Sequence, residues 1–197
     1  MDRETQGATI SLACGCLIAL SAAVALIVPL ADPGTARAVA AGMIFAGGVA
    51  EIVAGLFGIR VERGRTDVAL GLLSVATASI LAFAETIGAL SFLFLLGLWL
   101  RARGATELLR GLAVETAVAL AAARLIRGWM DIALALVVLI GALAAAFPLL
   151  LLSWPATIVR SALLLVAASL LASSALHIWL ATSSGRPDHA LRGRFRG

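Results

Sequence analysis

Four charged side chains and one histidine stand inside otherwise apolar stretches of this sequence: Glu51, Arg101, Arg103, Glu107 and His177. A carboxylate at membrane depth is costly and has to face the interior of a bundle or a polar partner. Glu51 is flanked at i−4 and i+4 by Gly47 and Gly55, and beside it Ala46, Ala50, Ala54 and Gly58 place a small residue every four positions. Such a stripe lets two helices approach closely. Glu107 has Arg103 at i−4 and Gly111 at i+4, and His177 has Ser173 and Ala181. If these segments are helices around one axis, the five side chains converge in an intramembrane polar cluster, with Glu51 pairing Arg101 or Arg103. His177 could then exchange a proton between about pH 5 and 8, making the cluster a proton-responsive element. A second reading of the same residues makes them interhelical ion pairs, or side chains snorkelling to a nearby interface.

The elements that must position them are transmembrane helices. Hydrophobic residues make up 62% of the 197-residue chain and charged residues 13%, too little polar surface to cover a soluble fold. The apolar runs are about 18 to 25 residues long, enough to cross a hydrocarbon core of about 30 Å at about 1.5 Å per residue. They predict an all-α polytopic bundle of six spans, near residues 8–28, 38–59, 68–84, 88–112, 128–147 and 158–181. The fourth has to include Arg101 and Arg103, because the uncharged stretch ending at Leu100 is too short to cross. Residues 113–127, Ala-rich with Glu115, Arg124 and Arg127, read as a cytoplasmic or interfacial helix, or as a continuation of the fourth span, and residues 183–197 as a basic tail. Asp131 reads as a helix N-terminal acid, and Trp99, Trp129, Trp154 and Trp179 as interface anchors.

All fifteen basic residues are arginine. In the six-span register Arg3, Arg60, Arg63, Arg65, Arg110, Arg124, Arg127, Arg186, Arg192, Arg194 and Arg196 fall on one side, against Arg37 and Arg160 on the other. The positive-inside rule then puts both termini in the cytoplasm of a bacterial inner membrane. Arginine placed between apolar runs speaks for orientation in a lipid bilayer and not for nucleic acid, despite a basic pI. The N-terminal residues Asp2, Arg3 and Glu4 are not the basic start of a secretory signal, so the first run is expected to be a retained span. Cys14 and Cys16 point to different sides of one helix, and with no His or acidic partner nearby they imply no metal or disulfide.

An internal repeat organises these spans. Gly48-Val49-Ala50-Glu51-Ile52-Val53-Ala54-Gly55-Leu56 and Gly104-Ala105-Thr106-Glu107-Leu108-Leu109-Arg110-Gly111-Leu112 both read G-x-x-E-x-x-x-G-L, 56 residues apart. Ser174-Ala175-Leu176-His177-Ile178-Trp179-Leu180-Ala181 is a looser third copy with histidine in place of glutamate. Copies on every second span run in the same direction, so the expectation is three tandem hairpins forming parallel repeats, unlike the inverted repeats of many transporters.

With Val28-Pro29 closing the first span, the Pro33-Gly34-Thr35-Ala36 turn echoed by Trp154-Pro155-Ala156-Thr157, the Gly-x-x-Glu segments closing spans two and four, and Gly128-Trp129 opening span five, nearly the whole chain resembles the HdeD family of bacterial inner-membrane proteins. Arg101, Arg103 and the long segment after them depart from that pattern. The resemblance implies membrane location and a link to acid or membrane stress, exerted through helix packing, homo-oligomers or contacts with other membrane proteins, and supplies no catalytic residues. No nucleotide loop, H-E-x-x-H pair or Ser-His-Asp set can be assembled, so neither an enzyme nor a cofactor is expected. The alternative is a small transporter or channel around Glu51, Arg103 and Glu107. The scarcity of ionisable residues in the outer halves of the spans weighs against it.

Overall fold

The structure is a computed structural model that describes residues 3–27, 33–57, 64–83, 88–112, 118–145 and 156–184. Within them are six α-helices: α1 (Arg3–Ile27), α2 (Pro33–Phe57), α3 (Gly64–Phe83), α4 (Ala89–Gly111), α5 (Val118–Ala145) and α6 (Ala156–Ser184). Five are long and apolar enough to cross a membrane; α4 is set apart by Arg101, Arg103, Glu107 and Arg110 in its second half. A bilayer core offers backbone N–H and C=O groups no water, so such segments satisfy themselves as helix. Their hydroxyls do the same locally. Ser74 donates to the Leu70 carbonyl, Thr77 to Leu73, Ser79 to Val75 and Thr106 to Ala102, each one turn back.

The most extensive helix pairings are α2 with α3, α4 with α5 and α1 with α6. Glycines make each pairing close. A Cβ on Gly48 would lie 2.8 Å from the Gly71 carbonyl oxygen, and a Cβ on Gly104 would lie 2.8 Å from that of Gly128. At Gly15 it would lie 2.9 Å from Cγ1 of Ile178 and 3.2 Å from the Ser174 carbonyl. The tight pairs are therefore offset by one helix from the expected hairpins, and α3 with α4 and α5 with α6 touch far less. The reason lies in where the small residues fall: they line the α2/α3 and α4/α5 seams.

The even-numbered helices face inward. Positions 36, 92 and 162 are buried, as are 40, 96 and 166, then 44, 100 and 170, then 47, 103 and 173. These sets keep the offsets of 56 and 70 residues that relate the sequence copies. Ile44, Leu96, Leu100, Leu163, Val166 and Leu170 fill the core between them. Outward positions are apolar and exposed, including Leu20, Phe45, Leu72, Leu136 and Leu171.

Two boundaries differ from the sequence reading. Residues 118–127 are the first turns of α5 and not a separate interfacial helix, because Arg124 and Arg127 turn into the bundle and are buried there. Asp131 lies in the middle of α5, fully buried, and not at a helix N-terminus. The proposed tail beyond residue 184, Glu115, Trp154, and Arg60 and Arg63 lie outside the described residues.

Candidate functional site

The inward residues of α2, α4, α5 and α6 build one polar cluster that runs from the middle of the bundle towards the end where α2 and α4 terminate. Its centre is Arg103, 1% exposed, which occupies on α4 the position that Gly47 holds on α2 and Ser173 on α6. Glycine at 47 leaves room, and the long side chain crosses the interval between α4 and α2, which lack the close backbone contacts each makes with α6. Nη2 of Arg103 donates to Oε1 of Glu51 and to Oγ of Ser173 at 2.6 Å. Nε lies 3.8 Å from Oδ2 of Asp131 on α5. The guanidinium also stacks 5.3 Å from the ring centroid of Trp99, one turn earlier. Trp99 in turn donates from Nε1 to Oγ of Ser74 on α3 at 3.0 Å.

A second arginine enters from α5. Nη2 of Arg127 donates to the same Ser173 hydroxyl, and Nη1 lies 3.4 Å from Oε1 of Glu107. Ser173 accepts from both guanidinium groups while its own hydrogen points to the Ser169 carbonyl at 3.3 Å, which uses both lone pairs and the single proton of a hydroxyl. Glu107 also accepts from Nη1 of Arg110 at 3.2 Å. That same nitrogen reaches Oδ1 of Asp67 on α3 at 2.6 Å, where the carboxylate is 30% exposed. Arg124 is buried within electrostatic reach of Glu107.

The result is a ladder of paired charges in which one serine hydroxyl joins two arginines. It starts at half-exposed Asp67 and passes through Arg110, Glu107, Arg127, Ser173 and Arg103 to Glu51 and buried Asp131. Four carboxylates (Glu51, Asp67, Glu107, Asp131) meet four arginines (Arg103, Arg110, Arg124, Arg127), so the cluster carries no net formal charge. That balance is what allows ionised groups out of water, since an unpaired buried charge costs several kcal/mol, about 3–5 when one partner is removed. Chemically the cluster can hold helices in register and hold water or protons between its members. Among the described residues no group of His, Cys, Asp and Glu could hold a metal ion.

Of the residues singled out in the sequence, Glu51, Arg103 and Glu107 come together here. Arg101 does not: it is two positions before Arg103, about 200° around the helix, and is exposed on the outside of α4. His177 is half-buried one turn beyond Ser173, its Cβ against Gly15 of α1. Among the described residues it makes no hydrogen bond or ion pair with the cluster. Trp99 is no interface anchor, being 2% exposed, whereas Trp129 and Trp179 are exposed. Asp131, Arg127, Arg110, Asp67 and Ser173 were not read from the sequence as members. A signal for the first two existed: Arg124, Arg127 and Asp131 are spaced i, i+3, i+7 and so share one helix face.

Apolar cavities open on the bundle. One of about 560 Å³ opens between α5 and α6, lined by Ile126, Met130, Leu176, Trp179 and, at its polar edge, Arg127. Another of about 470 Å³ lies between α2 and α3, at the end holding Arg37 and Phe83. Glu51 lines neither. A scan of protein-family models and searches of curated proteins and of solved structures find no match to this chain.

Proposed function

We propose that this chain is a six-span inner-membrane protein of the HdeD type that acts through helix packing and contacts with other membrane proteins in the response to acid or membrane stress. The observation that carries this reading is the charge-balanced cluster, buried among five apolar membrane-length helices and α4. It links α2, α4, α5 and α6, which is what a packing core requires. α4 is taken as the fourth span because it lies along α5 throughout its charged half, with Gly104 against Gly128 and Ile132 and Gly111 against Leu125 and Ala121. The arginine-rich segments support cytoplasmic termini and put the Asp67 end of the ladder on the cytoplasmic side.

A transporter or channel would need a polar route across the bundle. Beyond Asp131 the inward positions are Phe92, Leu93, Leu96, Val138, Leu163 and Val166, and the cavities of about 470 and 560 Å³ have apolar linings. These features favour the packing role.

The test joins topology to physiology. Reporter fusions at both ends should report cytoplasm, and a deletion strain should survive an acid challenge less well than its parent. Glu51→Gln should lower both survival and protein abundance, as loss of a packing residue does. Lost survival at unchanged abundance would point instead to a proton-responsive cluster. Substrate-dependent flux in liposomes would favour transport.

A further inference from the structure

Among the described residues, the outward face of α4 carries a charge that the rest of the bundle surface lacks at that depth. Leu90, Phe94, Leu98, Arg101, Ala105, Leu109 and Leu112 recur at i, i+4, i+7 spacing and are all exposed. Arg101 stands in the middle of that stripe, and among the described residues it makes no hydrogen bond or ion pair. Its depth follows from α5. Gly97 meets Ala135 and Leu139, and Gly104 meets Gly128 and Ile132, so Arg101 falls level with residues 132–134, the middle of the apolar window Leu120–Leu143. The repeat gives the same level independently. The positions matching Arg101 are Phe45, midway along α2, and Leu171, near the middle of the α6 window Arg160–Trp179, and both are exposed and apolar. From Arg101 to the end of α4 at Gly111 is ten residues, about 15 Å at 1.5 Å per residue, or half the hydrocarbon core. A side chain at that depth is too far from the headgroups to snorkel without deforming the bilayer. Among the described residues, every other exposed charge, such as Arg65 and Arg160, sits at a helix end.

We propose that the outward face of α4, centred on Arg101, docks a transmembrane helix of a different membrane protein that presents an aspartate or glutamate near the bilayer midplane. The inference rests on the six-span reading, through the placement of α4 in the membrane. Charge complementarity selects the occupant. An arginine in hydrocarbon is costly when alone and is satisfied by a carboxylate brought to the same level. Among the described residues a second copy supplies none at that level: Glu51, Glu107 and Asp131 are buried in their own cluster and Asp67 is held by Arg110 near a helix end. A two-fold pairing through this face would also bring Arg101 towards Arg101. The small residue Ala105 one turn later leaves room for the partner's backbone, and Phe94, Leu98 and Leu109 supply the apolar contact around the charge.

The experiment places a photo-crosslinking amino acid at Leu98 or Ala105 in the full chain, in the membranes of its own cells. The expected result is an adduct with an identified membrane protein whose crosslinked helix contains Asp or Glu. Arg101→Leu should abolish it, and Arg101→Glu combined with that carboxylate→Arg should restore it. Purified Arg101→Leu should melt no lower than the parent in detergent, so the lost adduct does not reflect unfolding. Adducts with lipid only, with a second copy only, or unaltered by Arg101→Leu overturn the proposal. In a Cys14→Ala, Cys16→Ala background, Leu98→Cys separates the two levels of failure. Labelling by a water-soluble maleimide would remove α4 from the membrane and sink the six-span reading, whereas protection together with lipid-only adducts would sink the docking face alone.

Discussion

Arg103 on α4 and Glu51 on α2 are bonded across the centre of the bundle with side-chain exposures of 1% and 6%. Two residues 52 positions apart in the chain thereby fix the relative height of two helices that make little backbone contact with each other. The bond is directional where the surrounding Leu, Ile and Val contacts are not. A slip of one turn on either helix would leave both charges buried and unpaired.

Arg103→Met and Glu51→Leu should each destabilise the protein strongly, by about 3–5 kcal/mol, because each strands its partner. The double variant should recover part of that loss, since two apolar side chains can occupy the same space while Asp131 still lacks the guanidinium that lies 3.8 Å from it. Melting temperatures in detergent for the four members of this double-mutant cycle give the coupling, expected near the top of the roughly 0.5–3 kcal/mol found within shared networks. Additive losses would mean the pair does not act as a unit.

Trp99 has two roles that substitution can separate. Trp99→Phe removes the indole N–H that reaches Ser74 at 3.0 Å but keeps a ring beneath Arg103, and should cost about 1 kcal/mol. Trp99→Leu also removes the face 5.3 Å from the guanidinium and should cost about 1–2 kcal/mol more in this desolvated setting. Thermal melts of the two variants should therefore be ordered Phe above Leu. Equal melting points would show that the stacking contributes nothing.

Helix number and spacing were legible in the sequence because lipid imposes one rule on every span, a run of apolar residues of sufficient length. Glu51, Arg103 and Glu107 were legible as interior residues because charge interrupts those runs. Asp131 and Arg127 were not. They lie beside an Ala-rich stretch whose charge density resembles an interface helix, and only the turn of α5 into the bundle shows that they face Arg103 and Glu107. Arg101 shows the converse. Composition groups it with Arg103, but a two-residue step reverses its side of the helix, and one arginine becomes core while the other becomes surface.

Helix seams should respond to single methyl groups. Gly48→Ala and Gly104→Ala each put a Cβ 2.8 Å from a carbonyl oxygen of the facing helix, and backbone cannot yield as a flexible side chain does. Each should cost about 1–3 kcal/mol as the helices part. Gly42→Ala is the internal control, since a Cβ there meets nothing within 4 Å, and it should stabilise by about 0.5–1 kcal/mol through reduced backbone freedom in the unfolded chain. Opposite signs at Gly42 and Gly48 in detergent melts would locate the close approach; matching signs would refute it.

The two ends of the charge ladder should differ in their sensitivity to salt. Asp67 is 30% exposed and pairs with Arg110 at 2.6 Å, so ions can screen it, and Asp67→Asn should cost less than about 1 kcal/mol. Glu107, 4% exposed and shared by Arg110 and Arg127, is shielded from the same ions, and Glu107→Gln should cost more because buried Arg127 and part-buried Arg110 both lose its acceptor charge. Raising sodium chloride to 1 M shortens the screening length to about 3 Å. The melting-temperature deficit of Asp67→Asn should then shrink towards zero while that of Glu107→Gln persists. If both deficits fell together, water and ions would have to penetrate as far as Glu107, and the cluster would be an open vestibule instead of a sealed packing core.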